Sequence, residues 1–424
     1  MKKLAFTFLL ALLLGGVMAQ SPVHNANAAL DTNLLSIEFH PKGAPFSFPM
    51  ADLKAVDNAL ILEFDHLGPE LMDYVYTIEH CNQDWKRSQM FEQEYLMGFT
   101  EDRIQNITIA QNTRALYTHY YLGLPNRNMR WLLSGNYLLK VYDNTTDRQL
   151  VLVRRFHVIE PLWGVSGQFV PPAQVDRINS HHEIDFSVKS KNIRIANPQN
   201  DVMAYVLQNG RWDIAIGPLK PNIMREDQMV FDYQNKVVFP AGKEWRFFDM
   251  RSFDFKGENV KIIQQQFNHF EVTLLTDETR ANRPYIFRKD NNGYFAIDNQ
   301  NANQTLLQCE YAHVLFSVKQ NLPFEEDDVY LFGAFTNWQI DPRFRMNYVP
   351  EAEVYALEIP LKQGYYNYQY LVVNRETGAI DEEGLEGNSY QTRNTYQILM
   401  YYRPFGERYD RLLGFGGLDS TDRF

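Results

Sequence analysis

The sequence predicts an all-β chain: tandem β-sandwich units following a cleaved export signal. Short runs rich in Val, Ile, Tyr and Phe alternate apolar and polar residues with period two along most of the chain. Gly, Pro, Asn and Asp punctuate these runs, and helical periodicity is hard to find past the leader. About 400 residues remain after cleavage, room for two to four domains of ~100 to 150 residues each.

The leader "MKKLAFTFLLALLLGGVMAQS" has two lysines, an apolar stretch from Leu4 to Leu14, and small residues before Gln20, so 1–19 reads as a signal peptide. A second possible cut lies at Ala26-Asn27-Ala28. No cysteine follows the apolar stretch, which argues against a lipoprotein, and no later run approaches the ~20 residues of a membrane-spanning helix. The protein is therefore expected to be exported and soluble. Losing Lys2 and Lys3 makes the net charge of -11 two units more negative. That balance disfavours nucleic acid, whose binding rests on neutralising phosphates. Cys81 and Cys309 read as two buried free thiols rather than a bridge between domains.

The first unit, 31–160, takes its strands from "ALILEFDHL", "DYVYTIEHC", "YTHYYLGL", "GNYLLKVYD" and "LVLVRRFHVIEP". Tyr137, two residues after Gly135 at the entry of a late strand, sits where immunoglobulin-like sandwiches place the tyrosine that ties back the preceding turn. The second unit, 161–290, carries "HEIDFSVKSKNIRI", "DVMAYVLQNGRWDIAI", "KVVFPAGKEWRFFDMRS" and "KIIQQQFNHFEVTLLTD", with Asn209-Gly210 as a two-residue hairpin turn. The third, 305–403, runs from "YAHVLFSVKQ" to "NTYQILMYYR", leaving 404–424 as a C-terminal tail.

In the third unit "VYLFGAFTNWQI", "VYALEIPLKQGYYNYQYLVVN" and "NTYQILM" resemble early-set sandwich domains related to glycogen-binding modules. A sugar site there needs flat aromatic faces and hydrogen-bonding partners. The resemblance implies Trp338 and Asn394 as residual glycan contacts. Gln369 stands in place of the family's lysine, and "NRETGAI" lacks the second tryptophan, so core packing is the competing reading of Trp338.

"YTIEHCNQDW", "QEYLMGFTEDRI", "YTHYYLGLP", "SGNYLL", "RRFHV" and "VVFPAGKEWRFFDMRSFDF" resemble the plug protein family of the type IX secretion system of Bacteroidetes, over essentially the whole mature chain. The resemblance implies a periplasmic protein, peripheral to the outer membrane, that closes the inner mouth of a very large β-barrel translocon. The alternative is an exported glycan-binding accessory protein that uses the third unit.

No Gly-x-Ser-x-Gly, His-Glu-x-x-His or phosphate-binding glycine loop is present, and neither cofactor nor metal is expected. His80 and Cys81 are strand neighbours and should diverge to opposite faces. His181, Glu183 and Asp185 share a strand face that could hold a cation, with a solvated face as the competing reading. "FEEDD" at 324–328 and "DEEG" at 381–384 read as exposed turns. For partner contact, "PNRNMRWLL" offers Arg127, Met129, Arg130 and Trp131 in or beside a loop at a sandwich tip, although Trp131 could equally begin a strand and face the core.

Overall fold

The structure is a computed structural model, and it describes residues 25–423 apart from 191, 192, 194, 226, 227 and 301–305. The expected signal peptide, 1–19, lies outside the described residues.

Two antiparallel sheets face each other in the first unit. One pairs Gly135–Asp143 with both Leu150–Ile159 and Tyr74–Cys81. The other orders Leu34–Pro41, Leu60–Leu67, Tyr117–Leu124 and Asn106–Ile109. Alternate residues of both sheets, among them Phe64, Tyr76, Tyr120, Tyr137 and Phe156, bury their rings in one core. The Tyr137 hydroxyl donates to the Leu133 carbonyl at 2.8 Å, tying back the turn as its position predicts.

Beyond residue 160 the chain order differs from the expected succession of units. Thr395–Tyr402, expected in the third unit, pairs along its length with Val202–Gln208 of the second. Arg411–Asp419, expected in a tail, pairs with Thr395–Tyr402 and runs parallel to Trp163–Val170, deep inside a nine-stranded sheet. Conversely Arg246–Asp249, placed in the second unit, pairs with Gly364–Asn374 of the third. Val260–Gln265 and Phe270–Leu274 likewise join Tyr311–Lys319. The third sandwich is thus inserted between strands of the second. Period-two alternation marks a strand but carries no information on its distant partner.

In the second unit's sheet the strand Val202–Gln208 is buried on both faces. Val202, Ala204 and Val206 enter its own core, while Tyr205 and Leu207 face Ile159 and Phe48 of the first unit. This is why "VMAYVL" reads as a continuous apolar run. Asn209 and Gly210 both take positive φ, 53° and 73°, as a two-residue hairpin turn demands. The third unit packs Phe248, Phe316, Tyr366, Tyr368 and Tyr370 between its sheets.

Buried polar contacts join the units. Asp65 of the first accepts from Lys362 Nζ at 2.6 Å and Tyr311 Oη at 2.7 Å of the third. The Tyr401 hydroxyl of the second unit donates to Asn136 of the first at 2.6 Å. Arg211 of the second unit grips Glu382 of the third through both terminal guanidinium nitrogens, at 3.0 and 2.6 Å. The "DEEG" run is therefore an inter-unit clamp at Glu382 as well as a turn.

Candidate docking face

Asn126 shapes the loop singled out in the sequence. Its side-chain oxygen accepts from the amides of Asn128 and Met129, both at 3.0 Å, while its nitrogen donates to the Gly123 carbonyl and the Tyr76 hydroxyl. Thus braced, the chain enters a short strand, Met129–Trp131, that pairs antiparallel with Leu96–Gly98 in the register Met129 to Gly98, Arg130 to Met97 and Trp131 to Leu96. Glycine is required at 98, where φ is +103° and a Cβ would stand 2.1 Å from the Asn128 carbonyl oxygen.

Directly paired residues share a face, so this ribbon has two unlike sides. Met129, Trp131 and Leu96 lie beneath it, in the core. Trp131 Nε1 donates to the Asp52 carbonyl at 3.3 Å and its ring lies 5.8 Å from that of Phe156. Two of the four expected contact residues, Met129 and Trp131, are therefore core anchors and not surface. Arg127 is exposed, and Arg130 is half-buried with its Nε unpartnered among the described residues. Across from Arg130 stands Met97, 49 % exposed, and the same side continues to Phe99 at 59 % and Leu132 at 43 %. Sequence reasoning missed these three. The signal that could have found them is "LMGF", whose inner positions are Leu96 and Gly98. Beside the strip opens a polar groove of about 490 Å³ lined by Arg127, Arg130, Asp57, Asp102 and Tyr121. An apolar strip with a basic rim is the composition of a protein contact.

The residues expected to touch sugar do not converge. Trp338 is half-buried and packs edge-on against Trp245, Phe332 and Tyr294, with ring centroids 5.6 to 5.7 Å apart, against a small hydrophobic cluster of the third unit. Asn394 is buried, bonded to Asn209 and to the Ala241 carbonyl at 2.8 Å each. It braces the hairpin turn of the second unit and presents nothing to a glycan.

His80 and Cys81 diverge. The histidine meets Ser88 at 2.8 Å among tyrosine rings, with its pKa pushed down to about 4 by burial. The cysteine packs with Trp85 and Leu138 on the other face, and burial pushes its thiol up to about 12. Both cysteines are free and buried. Glu183 is neither a ligand nor solvated: its two oxygens accept from the amides of Ala173 at 2.9 Å and Asn235 at 2.6 Å. Among the described residues no group of three His, Cys, Asp or Glu could hold a metal ion.

Residues 34–160 match the family model described as type 9 secretion system plug protein, first domain, and the whole ribbon lies within that span. A crystal structure described as a hypothetical protein from Parabacteroides merdae ATCC 43184 is 32 % identical, with a TM-score of 0.88 over 93 % of this chain and 99 % of that one. The collagen adhesin of S. aureus aligns at 6 % identity over 93 % of this chain and 98 % of that one, but with a TM-score of 0.10 it says nothing of fold or function. No curated protein matches.

Proposed function

The chain belongs to the type IX secretion system plug protein family, and we propose that it is a non-enzymatic periplasmic partner of that system's large outer-membrane β-barrel, seated across the barrel's periplasmic opening. The observation that carries this reading is the apolar strip of Met97, Phe99 and Leu132 beside Arg127 and Arg130, inside the segment matched to the plug domain.

A stopper has to be stiff. Ordering a flexible chain across a pore costs ~1 to 2 kcal/mol per residue, whereas three sandwiches held by buried clamps are ordered before they arrive. It must also let go. A strip of three apolar side chains with a polar rim belongs to the smaller, transient class of interface. Among the described residues no helix is long and apolar enough to cross a membrane, so attachment through a protein partner suits this chain.

The test is a pull-down with the tagged mature chain from detergent-solubilised membranes of the source bacterium, read by mass spectrometry. Wild type should recover a very large outer-membrane barrel. The double substitution Met97→Glu/Phe99→Glu should lower recovery at least tenfold while leaving the unfolding midpoint unchanged. Failure of wild type to recover any barrel overturns the function. Equal recovery by both proteins moves the contact elsewhere on the surface.

A further inference from the structure

Where the three units meet, a cavity of about 90 Å³ takes its walls from all of them: Arg154, Arg155 and His157 from the first, Trp212 from the second, Tyr294 and Trp338 from the third. Its polar groups are short of partners. Arg154, 5 % exposed, donates to the carbonyls of Ala28 and Val153 and to the Asn337 side chain, and forms no ion pair among the described residues. The Arg155 guanidinium lies over the rings of Trp85 and Trp212, at 4.3 and 5.7 Å, and among the described residues it donates from Nε to the Asn25 carbonyl at 2.6 Å. Burial lowers the two guanidiniums to about 9 and about 10, still charged at neutral pH.

The indole nitrogen of Trp212 and the Nε2 of His157 are both buried without a partner among the described residues. With His157 Nδ1 facing the Pro49 carbonyl at 3.4 Å and burial holding the ring neutral, Nε2 is an acceptor. Glu38, also on the wall, does not neutralise the arginines, because burial and the neighbouring Glu63 raise its carboxyl to about 8. Gly210 completes the wall, where a Cβ would come within 3.1 Å of the Tyr294 hydroxyl and 3.3 Å of the Phe48 ring. Buried polar groups without partners are rare enough to ask what satisfies them.

We propose that this cavity binds a short hydroxycarboxylate, which joins the three units at their meeting point. The carboxylate takes charge-assisted hydrogen bonds from Arg155 and one from Trp212 Nε1, the ligand's hydroxyl donates to His157 Nε2, and its few carbons lie against the rings of Phe48, Tyr294 and Trp338. The volume of about 90 Å³ is some three times the ~30 Å³ share of one water, which restricts the site to a small ligand.

The probe is lactate, titrated into the full mature chain at fixed ionic strength with tryptophan fluorescence and the unfolding midpoint as readouts. Lactate should give a saturable fluorescence change and raise the midpoint by mass action. Lactamide, which lacks the charge, should bind at least tenfold more weakly, and propionate, which lacks the hydroxyl, several-fold more weakly. Arg155→Gln should abolish the lactate response. If that variant does not fold, Trp212→Phe, which keeps a ring on the wall but deletes the donor, should weaken binding instead. No saturable response to lactate, or an equal one to lactamide, overturns the site. Equal binding of propionate removes His157 from it.

Discussion

Gly98 and Tyr137 each hold one turn of the first unit by a single physical requirement. At Gly98 the requirement is space and a positive φ, so Gly98→Ala should break the pairing of Leu96–Gly98 with Met129–Trp131. The expected result is a stability loss above ~1 kcal/mol and faster amide hydrogen exchange at Phe99, whose N–H bonds the Asn128 carbonyl. At Tyr137 the requirement is one hydroxyl. Tyr137→Phe leaves the Leu133 carbonyl without that donor and should cost about 1 kcal/mol in chemical denaturation. Tyr137 was legible in the sequence because its partner is four residues away. The roles of Met129 and Trp131 were only half legible: their apolar character was plain, but which side of a ribbon they face depends on a strand more than thirty residues earlier.

At the scale of elements, strands were legible one by one and their partners were not. The residues after 403 contain Gly406, Gly414, Gly416 and Gly417 and read as a tail. Gly416 is there because Val165 of the neighbouring strand crosses within 2.7 Å of where a Cβ would sit. A strand residue crowded by a neighbouring side chain leaves the same mark in sequence as a flexible end. Truncation after Arg403 therefore separates the two readings. Removal of a tail would leave stability unchanged, whereas this truncation deletes Arg411–Asp419 from the interior of the nine-stranded sheet and with it the pairing partner of Thr395–Tyr402. The truncated chain is expected to lose cooperative unfolding of the second unit by circular dichroism while the sandwich of 28–159 keeps its own transition. The inserted third unit illustrates the same limit, since nothing in the alternation of 246–249 says that it pairs forward, across more than a hundred residues, with 364–374 and not backward.

The whole molecule holds together through pairs that differ in worth. Arg408 with Glu94 is an exposed ion pair between the second and first units, worth ~0 to 1 kcal/mol. Asp65 with Lys362 has both side chains 2 % exposed or less, so Lys362→Met strands a buried carboxylate and should cost ~3 to 5 kcal/mol. Around that pair the two units bring together Glu38, Glu63, His119, Lys362 and Tyr311. Burial alone would lower His119, but its hydrogen bonds to Asp65 and Glu63 outweigh burial and raise it to about 9. Glu38 is raised to about 8 by burial and then by Glu63. Both groups bind protons more tightly in the folded chain. Their contribution is complete below the unfolded values and is lost as pH rises, between about 4.5 and 8 for Glu38 and between about 6.5 and 9 for His119. Asp65 runs the other way: burial raises it, Lys362 and His119 outweigh burial, and its contribution is lost as pH falls below the usual carboxylate range. A tenfold change in proton affinity is worth ~1.4 kcal/mol. The contact between the first and third units should therefore be firmest in mildly acidic solution and weaken by a few kcal/mol toward pH 9. Glu38→Gln removes the group that ionises first. Its unfolding midpoint should lie near that of wild type at pH 5 and above it at pH 8, and parallel midpoints for the two proteins across that range would show that Glu38 ionises freely and that this contact does not sense pH through it.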